Sequence, residues 1–252
     1  MAPILKVVNV TKYFGGVRAL EDVSLDVEKR AMVGLIGPNG SGKTTLFNVI
    51  TGFYPPDRGE VYFKGRRIDG LNPNEIFKLG LVRTFQNPRL FFNMSVWENM
   101  LVIPQDQKGE SLLKAPFTRL WLNEEMEIAK KASSLLKDFG LKDFVINKVS
   151  DLSGAHIKLL ESARGLMGKG EMFLLDEPAA GVAHTDAHKI FSFIRRLRDE
   201  YGLTFFIIEH RIEVLMDYVE YVYVLHNGRL LSQGTPEEVM RDPKVIHAYI
   251  GE

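Results

Sequence analysis

Residues 37–45 read GPNGSGKTT, directly after the uncharged run Met32–Ile36 and directly before Leu46–Ile50, which continues as helix. This is the pattern G-x-x-x-x-G-K-[ST] in the strand-to-helix context that its chemistry requires. Gly37, Gly40 and Gly42 let the backbone turn tightly and aim successive N–H groups inward, and the helix starting near Lys43 adds its positive dipole end. Gly37, Pro38, Asn39, Gly40, Ser41, Gly42, Lys43, Thr44 and Thr45 therefore read together as a phosphate-binding loop. The Lys43 ammonium is placed to reach β- and γ-phosphates, and the Thr44 hydroxyl to coordinate Mg²⁺. A turn that only reverses the chain needs neither the lysine nor the hydroxyl at those offsets. The loop says nucleotide-binding without saying which kind.

The rest of the chain is patterned to match. Short apolar runs rich in branched residues alternate with longer helical patterns, which reads as an α/β protein with strands buried under helices. Ile4–Val10, Val23–Val27, Val61–Phe63, Leu81–Phe85, Met172–Leu175, Leu203–Ile208 and Tyr221–Leu225 are the further strand candidates, and residues 186–201 a helix. From about Asn87 to Asp151 the texture changes to helices and polar loops. There Asn123 reads as an N-cap, with Met126, Ala129, Ala132, Leu136 and Phe139 recurring at helical spacing before Gly140. Thr235, Pro236 and Glu238 form a capping-box start, and Asp242 with Pro243 repeats the device.

The 252 residues suit one large α/β domain carrying an inserted subdomain. With 32 Lys plus Arg against 32 Asp plus Glu, no global basic field draws the chain to nucleic acid or anionic lipid. The absence of cysteine removes disulfides, thiolate nucleophiles and Cys-based zinc sites. No run approaches the roughly 18 to 20 apolar residues that span a bilayer, and no signal core is apparent, so a membrane role would require docking onto another polypeptide.

A second cluster lies far along the chain. Met172-Phe173-Leu174-Leu175-Asp176-Glu177 is an apolar strand ending in two carboxylates, at the strand end where ligands of open α/β sheets bind. Asp176 there suits Mg²⁺ held through its water shell, and Glu177 suits a group that polarises an attacking water. Standing alone, the pair would read as a solvated strand end.

Tyr13, GPNGSGKTT, Gln86, LSGAH at 152–156, FLLDE at 173–177 and His210 occur in an order and at intervals that resemble the nucleotide-binding subunits of ABC transporters, over nearly the whole chain. The resemblance implies the ABC ATPase fold: a P-loop NTPase-type, mostly parallel sheet with flanking helices, an N-terminal antiparallel β subdomain and an inserted α-helical arm. It places the nucleotide-binding core at 1–86 and 168–252 and the arm, with its signature motif, at 87–167. It implies a Mg²⁺-dependent ATPase coupled to transport. Tyr13 corresponds to the aromatic residue that stacks on adenine, Gln86 to the glutamine that reaches Mg²⁺ and the attacking water, and His210 to the histidine that contacts the γ-phosphate.

The same resemblance implies that Ser153 and Gly154 complete the site of an opposite subunit, so that two ATPase subunits, identical or paralogous, clamp ATP between them. The other implied partners are integral membrane permease subunits and, indirectly, an extracytoplasmic solute-binding protein, with the chain at the cytoplasmic face of the membrane and no nucleic-acid partner. Three positions depart from the pattern: Ala155 replaces a glycine, His156 a glutamine, and Ala183 a frequent aspartate. A methyl group at Ala155 would cost on the order of 1 kcal/mol if that residue sat at positive φ or against phosphate, which implies a slower ATPase.

Val82-Arg83-Thr84-Phe85-Gln86, Asp176-Glu177-Pro178-Ala179-Ala180-Gly181, Ile208-Glu209-His210 and Ala248-Tyr249-Ile250-Gly251-Glu252 are similar to the high-affinity branched-chain amino-acid uptake subgroup. ATPases that power urea uptake or lipopolysaccharide extraction share parts of the pattern, and a soluble or regulatory ABC ATPase with weak hydrolysis is a further alternative. Arg89, Leu90, Phe91, Phe92 and Met94 offer apolar anchors for a permease, or else pack inward within the arm.

Overall fold

The computed structural model describes residues 2–84, 90–104, 107–111 and 114–250. By its internal contacts the chain divides into two compact units, residues 1–86 with 171–252 and residues 87–170. In chain order the first unit runs β1 (Leu5–Phe14), β2 (Val17–Val27), β3 (Met32–Ile36), α1 (Lys43–Ile50), β4 (Arg58–Phe63), β5 (Arg66–Arg67), α2 (Pro73–Lys78) and β6 (Leu81–Arg83). The second unit supplies α3 (Val96–Leu101), α4 (Leu122–Asp138) and α5 (Gly154–Met167). The first resumes with β7 (Met172–Asp176), α6 (His184–Tyr201), β8 (Thr204–Ile208), α7 (Ile212–Met216), β9 (Tyr221–His226), β10 (Arg229–Gly234), α8 (Pro236–Arg241) and α9 (Pro243–Ile250).

Two sheets organise the first unit among the described residues. The larger has the order β10-β9-β3-β8-β7-β6, parallel from β9 to β6 with β10 antiparallel at its edge. The smaller is antiparallel, in the order β2-β1-β4-β5. Every residue of β3, β7 and β8 is buried, which is why these strands read as continuous apolar runs. Their two-residue period still sorts side chains between the faces. Val33, Leu35, Leu174, Phe206 and Ile208 join α1's Leu46 and Phe47 and the inner residues of the antiparallel sheet in one core cluster. On the other face, a Cβ added to Gly34 would meet Leu215 of α7 at 3.0 Å, and Phe173 packs on Phe205 with ring centroids 5.6 Å apart. In β2 the alternation is open to view, with Val23, Leu25 and Val27 buried between exposed Ser24 and Asp26.

In the second unit α3, α4 and α5 pack against one another around Met100, Ala132, Leu135, Leu136, Leu160 and Ala163, all at most 3% exposed. Two expectations for this region are corrected. Asn123 is not an N-cap: α4 begins at Leu122 out of the 3₁₀ turn Thr118–Leu120, with Trp121 at the cap position making no side-chain cap. The Trp121 indole instead donates to the Ala115 carbonyl at 3.0 Å, so the first helical turn has begun before Asn123. Met126, read as part of the apolar stripe, is 49% exposed, because burial on α4 is confined to its C-terminal half. In the first unit β6 ends at Arg83, with Thr84 beyond it, and the remainder of the strand read to Phe85 lies, with Gln86 and Arg89, outside the described residues.

Phe206 has no exposed surface and packs on Phe47 and Tyr223 with centroids 5.2 and 6.4 Å away. Phe206→Ala should lower the unfolding free energy by about 3–5 kcal/mol, measured by urea titration, because it removes a fully buried ring and leaves a cavity between the sheet and α1.

Candidate functional site

The parallel registers of β3, β8 and β7 place Leu35 beside Ile208 and Ile208 beside Asp176. The loops that begin at Gly37, Glu177 and Glu209 therefore leave the sheet at one edge, beyond the carboxyl ends of the strands. The first of them is shaped by glycine. A Cβ at Gly37 would lie 2.0 Å from the Leu225 carbonyl oxygen and 2.7 Å from Ser41 Oγ, and at Gly42, with φ of +102°, it would lie 2.6 Å from the Ala19 carbonyl oxygen. Gly42 is the N-cap of α1 and makes no side-chain cap. The first N–H groups of that helix are thus left for an anion instead of a neighbouring side chain.

Lys43 lies back over this loop. Its ammonium donates to the Gly37 and Pro38 carbonyls at 2.7 and 2.9 Å and to Ser41 Oγ at 3.5 Å. Burial pushes it below the usual lysine value, while the carboxylates of Glu177 and Asp176 pull the other way. Thr44 is exposed and Thr45 half-buried at the first turn of α1. Tyr13, at the end of β1, is 40% exposed. Its backbone N–H donates to Asp57 Oδ2 at 2.6 Å, which with Lys12 holds the Asp57 carboxyl below its ordinary value and fixes the strand end that presents the ring.

Beyond β7, Asp176 is buried and Glu177 occupies the left-handed region with φ of +53°, a conformation that costs a non-glycine residue about 1–2 kcal/mol. The Glu177 N–H donates to the Ile208 carbonyl at 2.9 Å. His210 Nε2 donates to Glu177 Oε1 at 2.9 Å, so two side chains singled out separately from the sequence meet in the structure. Gln86 falls outside the described residues.

Ser153 and Gly154 belong to the second unit, where they start α5. Ser153 is its N-cap: Oγ accepts from the His156 N–H at 3.4 Å and lies 3.0 Å from His156 Nδ1. The His156 ring rests on Phe144 with centroids 4.5 Å apart. Ala155 sits in the first turn of α5 and is not among the residues at positive φ. The backbone strain expected of its methyl group is therefore absent, because a helical φ accepts alanine more readily than glycine. Ala183 is the N-cap of α6 and supplies no side-chain cap. Phe91 and Phe92 are exposed, Leu90 is buried and Met94 half-buried. Buried Asn99 fixes that exposure by bonding both the N–H and the carbonyl of Phe91 at 3.0 Å.

Sequence reasoning assigned no role to two residues at the site. Arg83, on β6, donates to Asp176 Oδ2 at 3.0 Å and to Asn48 Oδ1 at 2.6 Å, and both members of the Arg83–Asp176 pair are under one-tenth exposed. Burial pushes the Asp176 carboxyl above its ordinary value, and the arginine bond opposes this. A cation on a strand flanked by Leu81 and Val82 was the available signal, since a buried charge demands a partner. Tyr249, on α9, has its phenol pushed up to about 12 by burial, with the nearby Gly37 N–H opposing the shift. Nothing local in the sequence marks that contact.

A glycine-cradled loop at the carboxyl edge of this sheet, a strand-end carboxylate pair whose Glu177 meets a histidine, and a helical unit that falls between them in the sequence together define an ATP-binding cassette. The chain belongs to the ABC transporter family, whose model matches residues 20–180. Residues 229–252 match the model described as branched-chain amino acid ATP-binding cassette transporter. A probable branched-chain amino acid transport ATP-binding protein LivG of Methanocaldococcus jannaschii is 44% identical over 99% of this chain and 98% of its own length. The crystal structure of the ADP conformation of an ATP-binding cassette of an ABC transporter superposes with a TM-score of 0.86, at 42% identity and full coverage of both chains. A dimeric post-hydrolysis cassette bound to ADP and Pi superposes at 0.75, with 26% identity over 92% of this chain and 98% of that one.

Arg83→Met should destabilise the protein by about 3–5 kcal/mol at neutral pH, because it strands a buried carboxylate. The sign of the pH dependence follows from the raised value of Asp176: the deficit is full above the folded-state pKa and shrinks as pH falls toward 3.8, where protonation discharges the group. Urea unfolding of both proteins across that range measures it.

Proposed function

We propose that this chain is the ATP-binding and ATP-hydrolysing subunit that energises a branched-chain amino-acid importer, working as one of a pair. The single observation that supports this most is the phosphate loop: an uncapped helix start and a buried ammonium held at its mouth by loop carbonyls. In this reading Gly37 to Thr45 hold the phosphates, Lys43 turns from the loop carbonyls to the β- and γ-oxygens, and the exposed Tyr13 ring stacks on adenine. Glu177 accepts a proton from the attacking water, and His210, already bonded to Glu177, orients that carboxylate and contacts the γ-phosphate. Ser153 and Gly154 serve the site of the second subunit through the start of α5. The branched-chain amino-acid substrate is supported by the name of the Methanocaldococcus relative and by the match at 229–252.

The donor set suits Mg²⁺, which takes hard oxygen ligands and keeps most of its waters. The Thr44 hydroxyl is exposed at the loop, and Asp176, with one oxygen engaged by Arg83, is suited to an outer-shell role; Gln86 completes the proposed set. When bound, the ion would neutralise charge on the β- and γ-oxygens. Among the described residues no helix is long and apolar enough to cross a membrane. Attachment to permease subunits at the cytoplasmic face is assigned to the exposed Phe91 and Phe92, with the solute-binding protein acting on the far side.

Three measurements test the reading. Lys43→Ala should abolish Mg²⁺-dependent ATP affinity, and equal affinity in the two proteins would defeat the proposal. Glu177→Gln should retain that affinity while turnover falls about 10²–10⁴-fold, and should elute as a dimer when ATP is present. With the permease reconstituted, leucine uptake should follow ATP hydrolysis. The signature departures separate as well. Ala155→Gly should leave turnover within about twofold, since no strain is relieved. His156→Gln should raise it, because the imidazole no longer competes for the Ser153 hydroxyl.

A further inference from the structure

Glu209 follows the last residue of β8 and is 3% exposed. Its partners are backbone N–H groups on two separate segments. Oε1 accepts from Ala179 at 3.0 Å, and Oε2 accepts from His210 at 2.8 Å and from Arg211 at 3.5 Å. A carboxylate removed from water is retained only when both oxygens are satisfied, and charge-assisted bonds to N–H donors are the strong kind. The two segments it joins are those that end in the Glu177–His210 contact. Ala179 lies two residues beyond Glu177, whose own N–H donates to Ile208 just before Glu209. The Arg211 guanidinium then donates to the Val182 carbonyl at 2.5 Å, which extends the lacing to the residue before Ala183. Glu177 keeps its positive φ between these ties, as a strained residue must be held by its surroundings.

We infer that Glu209 is a positioning residue for hydrolysis: its two oxygens lock the His210 backbone and the 177–179 turn together, and so set the Glu177–His210 hydrogen bond. This rests on the reading of Glu177 and His210 as the working pair. The requirement is for a carboxylate in particular. A glutamine of the same shape offers one acceptor oxygen, and its NH₂ group would face an N–H donor on the other side. The lock does not touch the phosphate loop, so its loss acts on the rate of hydrolysis and not on nucleotide affinity.

A double-mutant cycle on the full chain tests this, with ATP turnover at saturating Mg²⁺-ATP and ATP affinity read separately for wild type, Glu209→Gln, His210→Ala and the double variant. Glu209→Gln should lower kcat roughly 10- to 100-fold, the scale of a small misplacement of a reacting group, with ATP affinity within about twofold. On the His210→Ala background the same substitution should change kcat by less than about twofold, because its effect passes through His210. Wild-type turnover in Glu209→Gln, an equal fold-loss on both backgrounds, or a parallel loss of ATP affinity would each overturn the proposal. Wild-type turnover in His210→Ala would instead remove the reading on which it rests. Should Glu209→Gln not fold, Glu209→Asp, which keeps both acceptors on a shorter stem, takes its place in the cycle under the same criteria.

Discussion

The parallel hydrogen-bond register of β3, β8 and β7 is the constraint on which the site depends. Because Leu35, Ile208 and Asp176 stand side by side, the phosphate loop, the carboxylate pair and the histidine leave the sheet at one level. A slip of one residue between two of these strands would exchange their faces, moving Phe206 off α1 and carrying Asp176 away from Arg83. Burial on both faces prevents such a slip, since every residue of the three strands is buried. The same packing that stabilises the sheet therefore sets the distances at its edge.

That edge is also where the first unit keeps its costly groups. Lys43, Asp176, Arg83 and Glu209 are all withdrawn from water, and each is matched: the ammonium by loop carbonyls, the Asp176 carboxylate by Arg83, the Glu209 carboxylate by N–H groups. In a poorly polarisable interior such groups hold their orientation without help from solvent, which is the condition for stabilising charge that develops during a reaction. Glu177 adds backbone strain at the same place, maintained by its bond to Ile208 and by the Ala179–Glu209 bond.

The second unit solves a different problem. Its core is small and helical, and Asn99 is spent wholly on backbone groups, bonding Phe91 and the Ser95 carbonyl. The result is an ordered turn that leaves two phenylalanine rings exposed. At the start of α5 the Ser153 hydroxyl is both a cap and a partner of the His156 ring, so the departure from the usual signature changes the hydrogen bonding there and leaves the backbone of Ala155 without positive φ.

What the sequence by itself determined is what chemistry writes locally. GPNGSGKTT, the Met172–Glu177 strand with its terminal carboxylates, and the Thr235-Pro236-Glu238 capping box each confine their determinants to a few neighbouring residues, and β3 and the capping box formed where they were read. The buried strands were legible for the same reason, since complete burial leaves a continuous apolar run. Tertiary structure alone decided the rest. Arg83 needs Asp176 from 93 positions away, Glu209 needs Ala179, and Tyr249 meets Gly37 from the last helix. Asn123 lost its capping place to a helix start set by the preceding turn, and Met126 lay in the half of α4 without buried residues. Propensity and motif act through adjacent backbone, whereas a hydrogen-bond partner across the sheet is chosen by register and packing, which no stretch of chain specifies alone.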